Sequence, residues 1–334
     1  MSALRGRIGI DPGVRPAVAA ALLLTISELG LFEAAAIFGV VPTYVARFIV
    51  MTVACFAAFA YLRKPAPSLR NLQVVPYLLR SLLFATTTVL LILAFSTSPS
   101  LNHTYTVFML HIGAAYLIAR LPLPLREPLT KGKLWDWHFA LALFVLLIGI
   151  YLYHFVAVDP NQDPEVAAAG FRATVFAALA AISFAASNIM ATVFRREHVQ
   201  GVEGRALTSL EVTYLGSIVA LVVAPAIAFL LQGSTAADPI ASIGPSAIVA
   251  FLFWAVLAAT LNLPANTLLL SAFNRTSNPA LVSAMDALVI VFALVPDVLW
   301  HGTPVSSLVG TKGLGLALIL GGGAWAIYRD ARQT

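Results

Sequence analysis

Ten stretches of about twenty nearly unbroken apolar residues follow one another along the 334-residue chain. They lie at roughly 17–38, 42–62, 74–96, 102–119, 135–154, 171–194, 208–231, 247–272, 278–299 and 309–328. A helix of that length crosses the hydrocarbon core of a bilayer, which is about 30 Å thick. Lipid offers no partner to an open backbone, so only helices and closed barrels can span it. A barrel needs short segments of alternating polarity, and these runs do not alternate. Charged residues make up only 10% of the chain, against about 25% in a soluble domain, which excludes an ordinary cytosolic globule. One cysteine excludes a disulfide scaffold. The expected fold is therefore an all-α polytopic membrane protein with ten transmembrane helices.

Breaker residues punctuate the runs: Pro65 and Pro67, Pro99, Pro122 and Pro124, Pro160 and Pro164, Pro239 and Pro245, Pro304. Glu28 and Glu33 interrupt the first run and argue against a cleaved signal peptide there. Of the 20 lysines and arginines, all but Arg172, Lys312 and the intraspan Arg47 and Arg80 fall in the N-terminus, the even-to-odd loops and the C-terminal tail. The positive-inside rule then puts both termini in the cytoplasm, which predicts a multi-pass protein of the cell's inner membrane. The net charge of +5 thereby reflects topology and gives no reason to invoke nucleic acid. Trp135, Trp137, Tyr151, Tyr153, Trp300 and Tyr328 stand at span ends, as interface belts require.

The two halves overlay. Ile26-Ser27 matches Ile182-Ser183, and Val107-Phe108-Met109-Leu110-His111 lies over Val282-Ser283-Ala284-Met285-Asp286. The second register also brings Tyr153 onto Tyr328. Five spans per half is odd, so the halves, 1–158 and 165–334, are expected as an inverted-topology repeat, an architecture common in secondary transporters.

Several stretches resemble the drug/metabolite transporter superfamily, specifically its EamA-type ten-helix members. Pro42-Thr43-Tyr44-Val45-Ala46-Arg47 is similar to the family's proline-to-arginine pattern opening the second helix. Leu79-Arg80-Ser81 and Ala94-Phe95-Ser96-Thr97-Ser98-Pro99 are similar to its third. Leu125-Arg126-Glu127 falls at its turn before the fifth helix, and Gly313–Gly321 resembles its glycine-rich last helix. The chain departs from the pattern where a proline is common in the middle of helices four and nine; His111 and Asp286 stand at or beside those positions. The second-half equivalent of Glu127 falls at Gly302. The resemblance implies a 5 + 5 fold and a carrier activity.

Ionisable residues at the middle of a span cost about 2.5–3.5 kcal/mol each on insertion scales. Glu28, His111 and Asp286 fall at one expected depth, near the midplane, from both halves. The functional expectation is a polar cavity binding substrate or a proton, in which an acid exchanges a proton for a substrate amine. The alternative is a set of satisfied contacts between packed helices. Asn188, Asn262 and Asn266, the last two flanking Pro264, are expected to line the cavity or to join helices. Glu33 and Arg47 are expected to pair near the outer surface, with an outer gate or a carboxylate-binding arginine as the alternatives. Arg80 is expected to snorkel to the interface or to bind an anion. Glu211 lies close enough to the membrane edge to need no special role. The hydroxyls of Thr86-Thr87-Thr88 are expected to bond their own helix. Gly313, Ala317 and Gly321 form a smooth packing stripe, within the fold or in a homodimer.

No motif for nucleophilic catalysis, zinc hydrolysis or nucleotide binding occurs, and the histidines lack metal-ligand spacing. No cofactor or metal is expected, and uphill transport would draw on an ion gradient. The expected function is a proton-coupled or facilitative exporter of a small polar metabolite such as an amino acid or amine. The competing readings are a membrane-embedded enzyme acting on lipid and a non-transporting membrane subunit.

Overall fold

The computed structural model describes residues 11–67, 75–98, 104, 107–120, 136–155, 164–196, 207–232, 244–276, 278–299, 302 and 309–331. Arg5, Arg7, Arg70, Arg126, Lys131, Lys133, Arg205, Arg332, Trp135, Trp300, Pro99 and the Leu125–Glu127 turn lie outside the described residues. Among the described residues there is no strand. Eleven helices follow in order: α1 Val14–Phe38, α2 Val40–Leu62, α3 Val75–Thr97, α4 Leu110–Ile118, α5 Trp137–Phe155, α6 Pro164–Arg196, α7 Ser209–Gln232, α8 Pro245–Arg275, α9 Pro279–Met285, α10 Leu288–Leu299 and α11 Thr311–Ala331.

Five of them contain segments long and apolar enough to cross a membrane: Val14–Phe38, Pro42–Leu62, Pro76–Phe95, Ala169–Phe194 and Pro245–Arg275. Trp137–Tyr153 and Ser209–Val223 are shorter apolar helices. Large apolar side chains such as Val53, Phe56, Phe144, Val249 and Phe253 stand exposed, as lipid-facing surfaces do and soluble surfaces rarely do in such number. The chain is a helical membrane protein.

The ninth expected span is not one helix. It breaks into α9 and α10, with the amide of Asp286 bonding Ser283 O and that of Ala287 bonding Ala284 O, at 3.1 and 3.2 Å. Those three-residue closures are 3₁₀ geometry, which in mid-helix marks a hinge or a strained site. A similar closure, Ile112 N to Met109 O at 3.0 Å, precedes α4. His111 and Asp286 therefore both sit at helix breaks.

Packing pairs helices distant in sequence. α1 lies along α8 and α6 along α3; α2 packs on α7 and α8, and α7 on α3; α4 meets α6 and α9; α1 meets α9 and α10; α5 lies along α11. Two serines tie the first two pairs. Ser27 donates to Ala258 O at 2.8 Å and Ser183 donates to Leu83 O, also at 2.8 Å. Tyr44 on α2 donates to Ala220 O on α7 at 2.6 Å.

One residue, Gly39, connects α1 to α2. Its φ of 77° lies in the left-handed region that only glycine enters freely. At the opposite end of α1, Asp11 Oδ1 accepts from Gly13 N at 2.7 Å and Asp11 Oδ2 from Thr276 Oγ1 at 3.1 Å. Arg329 Nε reaches Asp136 Oδ2 at 3.0 Å, joining the end of α11 to the start of α5. Glu211 serves structure: its carboxylate accepts from Thr208 N at 2.7 Å while Thr208 Oγ1 accepts from Glu211 N at 3.4 Å, a capping box opening α7.

Within the fold, the last helix packs through Gly315 and Gly322, and the Gly313–Ala317–Gly321 stripe is not its packing face. A Cβ on Gly315 would stand 2.7 Å from Gly149 O, and one on Gly322 would stand 2.8 Å from Ala142 O. Around Gly321 there is open space, and Ala317 is exposed. The partner helix decides the face: Gly149 on α5 lets the two backbones touch at Gly315. Both stripes are rich in small residues, so spacing alone did not distinguish them. Gly315→Leu is expected to cost about 1–3 kcal/mol or more through overpacking, and Gly321→Leu to change little. Thermal unfolding of detergent-purified variants, followed by size-exclusion chromatography, measures the difference.

Candidate functional site

Glu28 is almost wholly buried on α1, and Arg47 on α2 is equally sequestered. Their side chains meet, Arg47 Nη2 to Glu28 Oε1, at 3.5 Å. This corrects the expected partner of Arg47. Glu33 is only partly buried and is engaged elsewhere. Depth from the Gly39 turn allowed either acid to reach Arg47. Five residues along a helix, however, rotate a side chain by about 140°, and it is Glu28 that faces Arg47.

His111 and Asp286 form the second pair. His111 Nε2 stands 3.1 Å from Asp286 Oδ2, and Nδ1 stands 2.8 Å from Phe108 O. His111 has no exposure and Asp286 has 2%. Phe108 and Phe184 pack their rings on the imidazole at 4.9 and 5.1 Å between centroids, which keeps water from competing for it. A carbonyl oxygen only accepts, so Nδ1 carries a proton whatever the charge of the ring.

The asparagines are both glue and lining. Asn266 Nδ2 donates to the side-chain oxygen of Asn262, and Asn262 Nδ2 donates to Ser27 Oγ at 3.2 Å. Ser27 in turn donates to Ala258 O. This chain fastens α1 to α8 around Pro264, where the helix lacks one backbone bond. Asn188 is also buried, but its Nδ2 has no hydrogen-bond partner, and it does not border the cavity described next.

A cavity of about 40 Å³ lies between these groups, bordered by Glu28, Arg47, Asn262, Asn266, Asp286 and Thr87. That space suffices for a few water molecules, each needing at least 10–15 Å³. Its rim also carries Phe84, Phe108 and Phe184. Glu28 Oε2, Arg47 Nε and Nη1, and Asp286 Oδ1 are buried without a hydrogen-bond partner. Unsatisfied buried polar atoms each cost about 1–3 kcal/mol, and charged ones more. Buried polar atoms left unpaired around one space call for a reason, of which a bound molecule, water or a binding role are examples. Thr87 and Thr88 spend their hydroxyl protons on Leu83 O and Phe84 O, as the threonine run predicts.

Two of the three residues expected at one depth, Glu28 and Asp286, thus border one cavity, and His111 joins through Asp286. Sequence reasoning missed that each acid has a cationic or protonatable partner. The signal was present: Arg47 lies on the helix immediately after Glu28, and His111 overlays Asp286 in the repeat register. Arg80 lies elsewhere, against a different cavity.

No family model matches the chain, and no curated protein matches it. A solved structure described as "Crystal structure of protein" is similar to it, with a TM-score of 0.59 at 16% identity, covering 95% of this chain and 99% of that one. That likeness shows a shared fold over nearly the whole of both chains.

Removing one member of the Glu28–Arg47 pair leaves the other charged and buried. Arg47→Leu is expected to destabilise by about 3–5 kcal/mol. The double variant Glu28→Leu/Arg47→Leu is expected to recover most of that loss. A double-mutant cycle on thermal or denaturant unfolding in detergent checks both.

Proposed function

We propose that the chain is a secondary carrier of the drug/metabolite transporter kind. In this reading it is built as two inverted five-span repeats in the inner membrane, with both termini cytoplasmic, and it exports a small polar metabolite such as an amino acid or amine in exchange for protons. The carrying observation is the cluster of ionisable groups from both halves around one buried cavity: Glu28 with Arg47, and Asp286 with His111.

Helix packing supports the repeat. Exchange α1 with α6, α2 with α7, α3 with α8, α4 with α9 and α10, and α5 with α11. The α1–α8 contact then becomes α6–α3, and α2–α8 becomes α7–α3. The contacts α2–α7, α4–α9 and α5–α11 map onto themselves. The serine bonds obey the same exchange. The separation of 175 residues between His111 and Asp286 also relates Leu83 to Ala258, the acceptors of Ser183 and Ser27. Two-fold counterparts touch one another only on the axis, so the His111–Asp286 contact marks that axis in this reading. Carriers with inverted repeats bind near such an axis and rock about it.

The contact also has the chemistry of a proton-dependent latch. With Nδ1 committed to Phe108 O, the gap from Nε2 to Oδ2 is bridged by one proton. The pair is then either imidazolium facing carboxylate or imidazole facing carboxylic acid. Loss of that proton sets two lone pairs against each other and the contact opens. Both partners sit at helix breaks, where such opening costs little regular helix. A substrate cation at Asp286 would replace the lost proton and leave the acid neutralised, which is the minimum an antiporter requires.

Counterflow in proteoliposomes with a panel of labelled amino acids and amines tests this reading. The native chain is expected to exchange at least one solute and to accumulate it under a pH gradient. Asp286→Asn is expected to lose gradient-driven accumulation. Full pH-dependent transport by Asp286→Asn would overturn the assignment. Turnover of a lipid in detergent, with no exchange of any solute, would favour the enzyme alternative.

A further inference from the structure

Arg80 does not snorkel. Six residues into α3, it is only 3% exposed, and it borders a cavity of about 270 Å³ among α3, α6, α7 and α8, away from the Glu28–Asp286 cluster. Among the described residues no carboxylate pairs with it, and its Nε is buried without a hydrogen-bond partner. The ring centre of Phe84 lies 5.8 Å from its guanidinium carbon. Ser187 Oγ reaches the Arg80 carbonyl at 3.4 Å and ties this turn of α3 to α6. An arginine remains charged in proteins, and a buried charge without a counter-ion is costly. The other arginine that is fully buried among the described residues, Arg47, has an acid beside it.

We infer that this cavity is a binding site for an organic anion, a carboxylate or phosphate head on an apolar body, with Arg80 as its counter-charge. The guanidinium offers a planar fork of donors that matches either head. Ser209 and Asn274 on the cavity wall add polar groups, while Phe194, Leu207 and Leu270 line the rest with apolar surface. The volume lies just under the range of about 300–1,000 Å³ usual for ligand pockets, which suits a fragment-sized occupant. The cavity opens near the end of the bundle that carries Arg63, Lys64 and Arg275, so an anion would meet a basic approach. The inference goes beyond the carrier reading and stands without it, because binding at equilibrium needs no compartment.

The test is isothermal titration of the full chain in phosphatidylcholine nanodiscs with 3-phenylpropionate and with its neutral amide. The acid is expected to bind saturably and about tenfold or more tighter than the amide, the ratio that a charge-assisted hydrogen bond supplies. Arg80→Gln should abolish that preference, Arg80→Lys should retain part of it, and Arg172→Gln, at an exposed position more than twenty residues before Phe194 on α6, should leave it unchanged. Equal binding of acid and amide by the native chain, or absence of saturable acid binding, would overturn the site even if Arg80→Gln failed to fold. An Arg80→Gln variant that folds and keeps the preference would overturn it too. Repeating the titration in phosphatidylglycerol discs identifies the source of the anion. Undiminished affinity points to a soluble solute, and competition by the lipid points to a headgroup; both uphold an anion site. Normal counterflow with no acid preference would remove this site alone, and acid preference without counterflow would remove the carrier reading alone.

Discussion

A charge buried in this bundle is costly unless a partner lies beside it, because neither lipid nor a packed helix interface can solvate it. That requirement governs which helices meet. Glu28 brings α1 to Arg47 on α2, and His111 brings α4 to Asp286 between α9 and α10. The pairs are incomplete: each leaves polar atoms unsatisfied, and those atoms face one small space. A purely structural pair would be expected to use its remaining donors and acceptors.

The helix breaks belong to the same logic. Regular helices at α4 and α9–α10 would fix His111 and Asp286 rigidly. The short 3₁₀ closures beside them loosen the backbone where the acid–base contact forms, and the aromatic rings of Phe108 and Phe184 hold the imidazole from two sides. The asparagine–serine chain from Asn266 to Ala258 O supplies the opposite quality. It fastens α1 to α8 around the proline that would otherwise weaken α8.

The membrane character, most helix positions and the burial of the three intraspan residues Glu28, His111 and Asp286 were legible because each depends on position along the chain. Apolar runs report helices, and counting residues reports depth. The choice of partner was not legible, because it depends on rotation about the helix axis and on which helix lies opposite. Glu33 and Glu28 were both within reach of Arg47 by depth, and only their angular separation distinguished them. The packing stripe of α11 failed to be read for the same reason: Gly313 and Gly315 differ by rotation, and the facing glycine, Gly149, sits more than 160 residues away. Arg80 was seen as an intraspan charge, but a cavity built by four helices has no linear signature.

The serine bonds also bear on how the chain is made. Ser27 finds its acceptor 231 residues later, and Ser183 finds its own 100 residues earlier. As the first five helices leave the ribosome, α1 therefore lacks its principal neighbour and waits in the bilayer until α8 has been synthesised. Glu28 is already beside Arg47 at that stage, since one glycine joins their helices, so the costliest charge in α1 can be neutralised during the wait. Asp286 has the reverse timing, because His111 precedes it and is present when it arrives. The order of synthesis thus never obliges a deep carboxylate to enter the membrane alone.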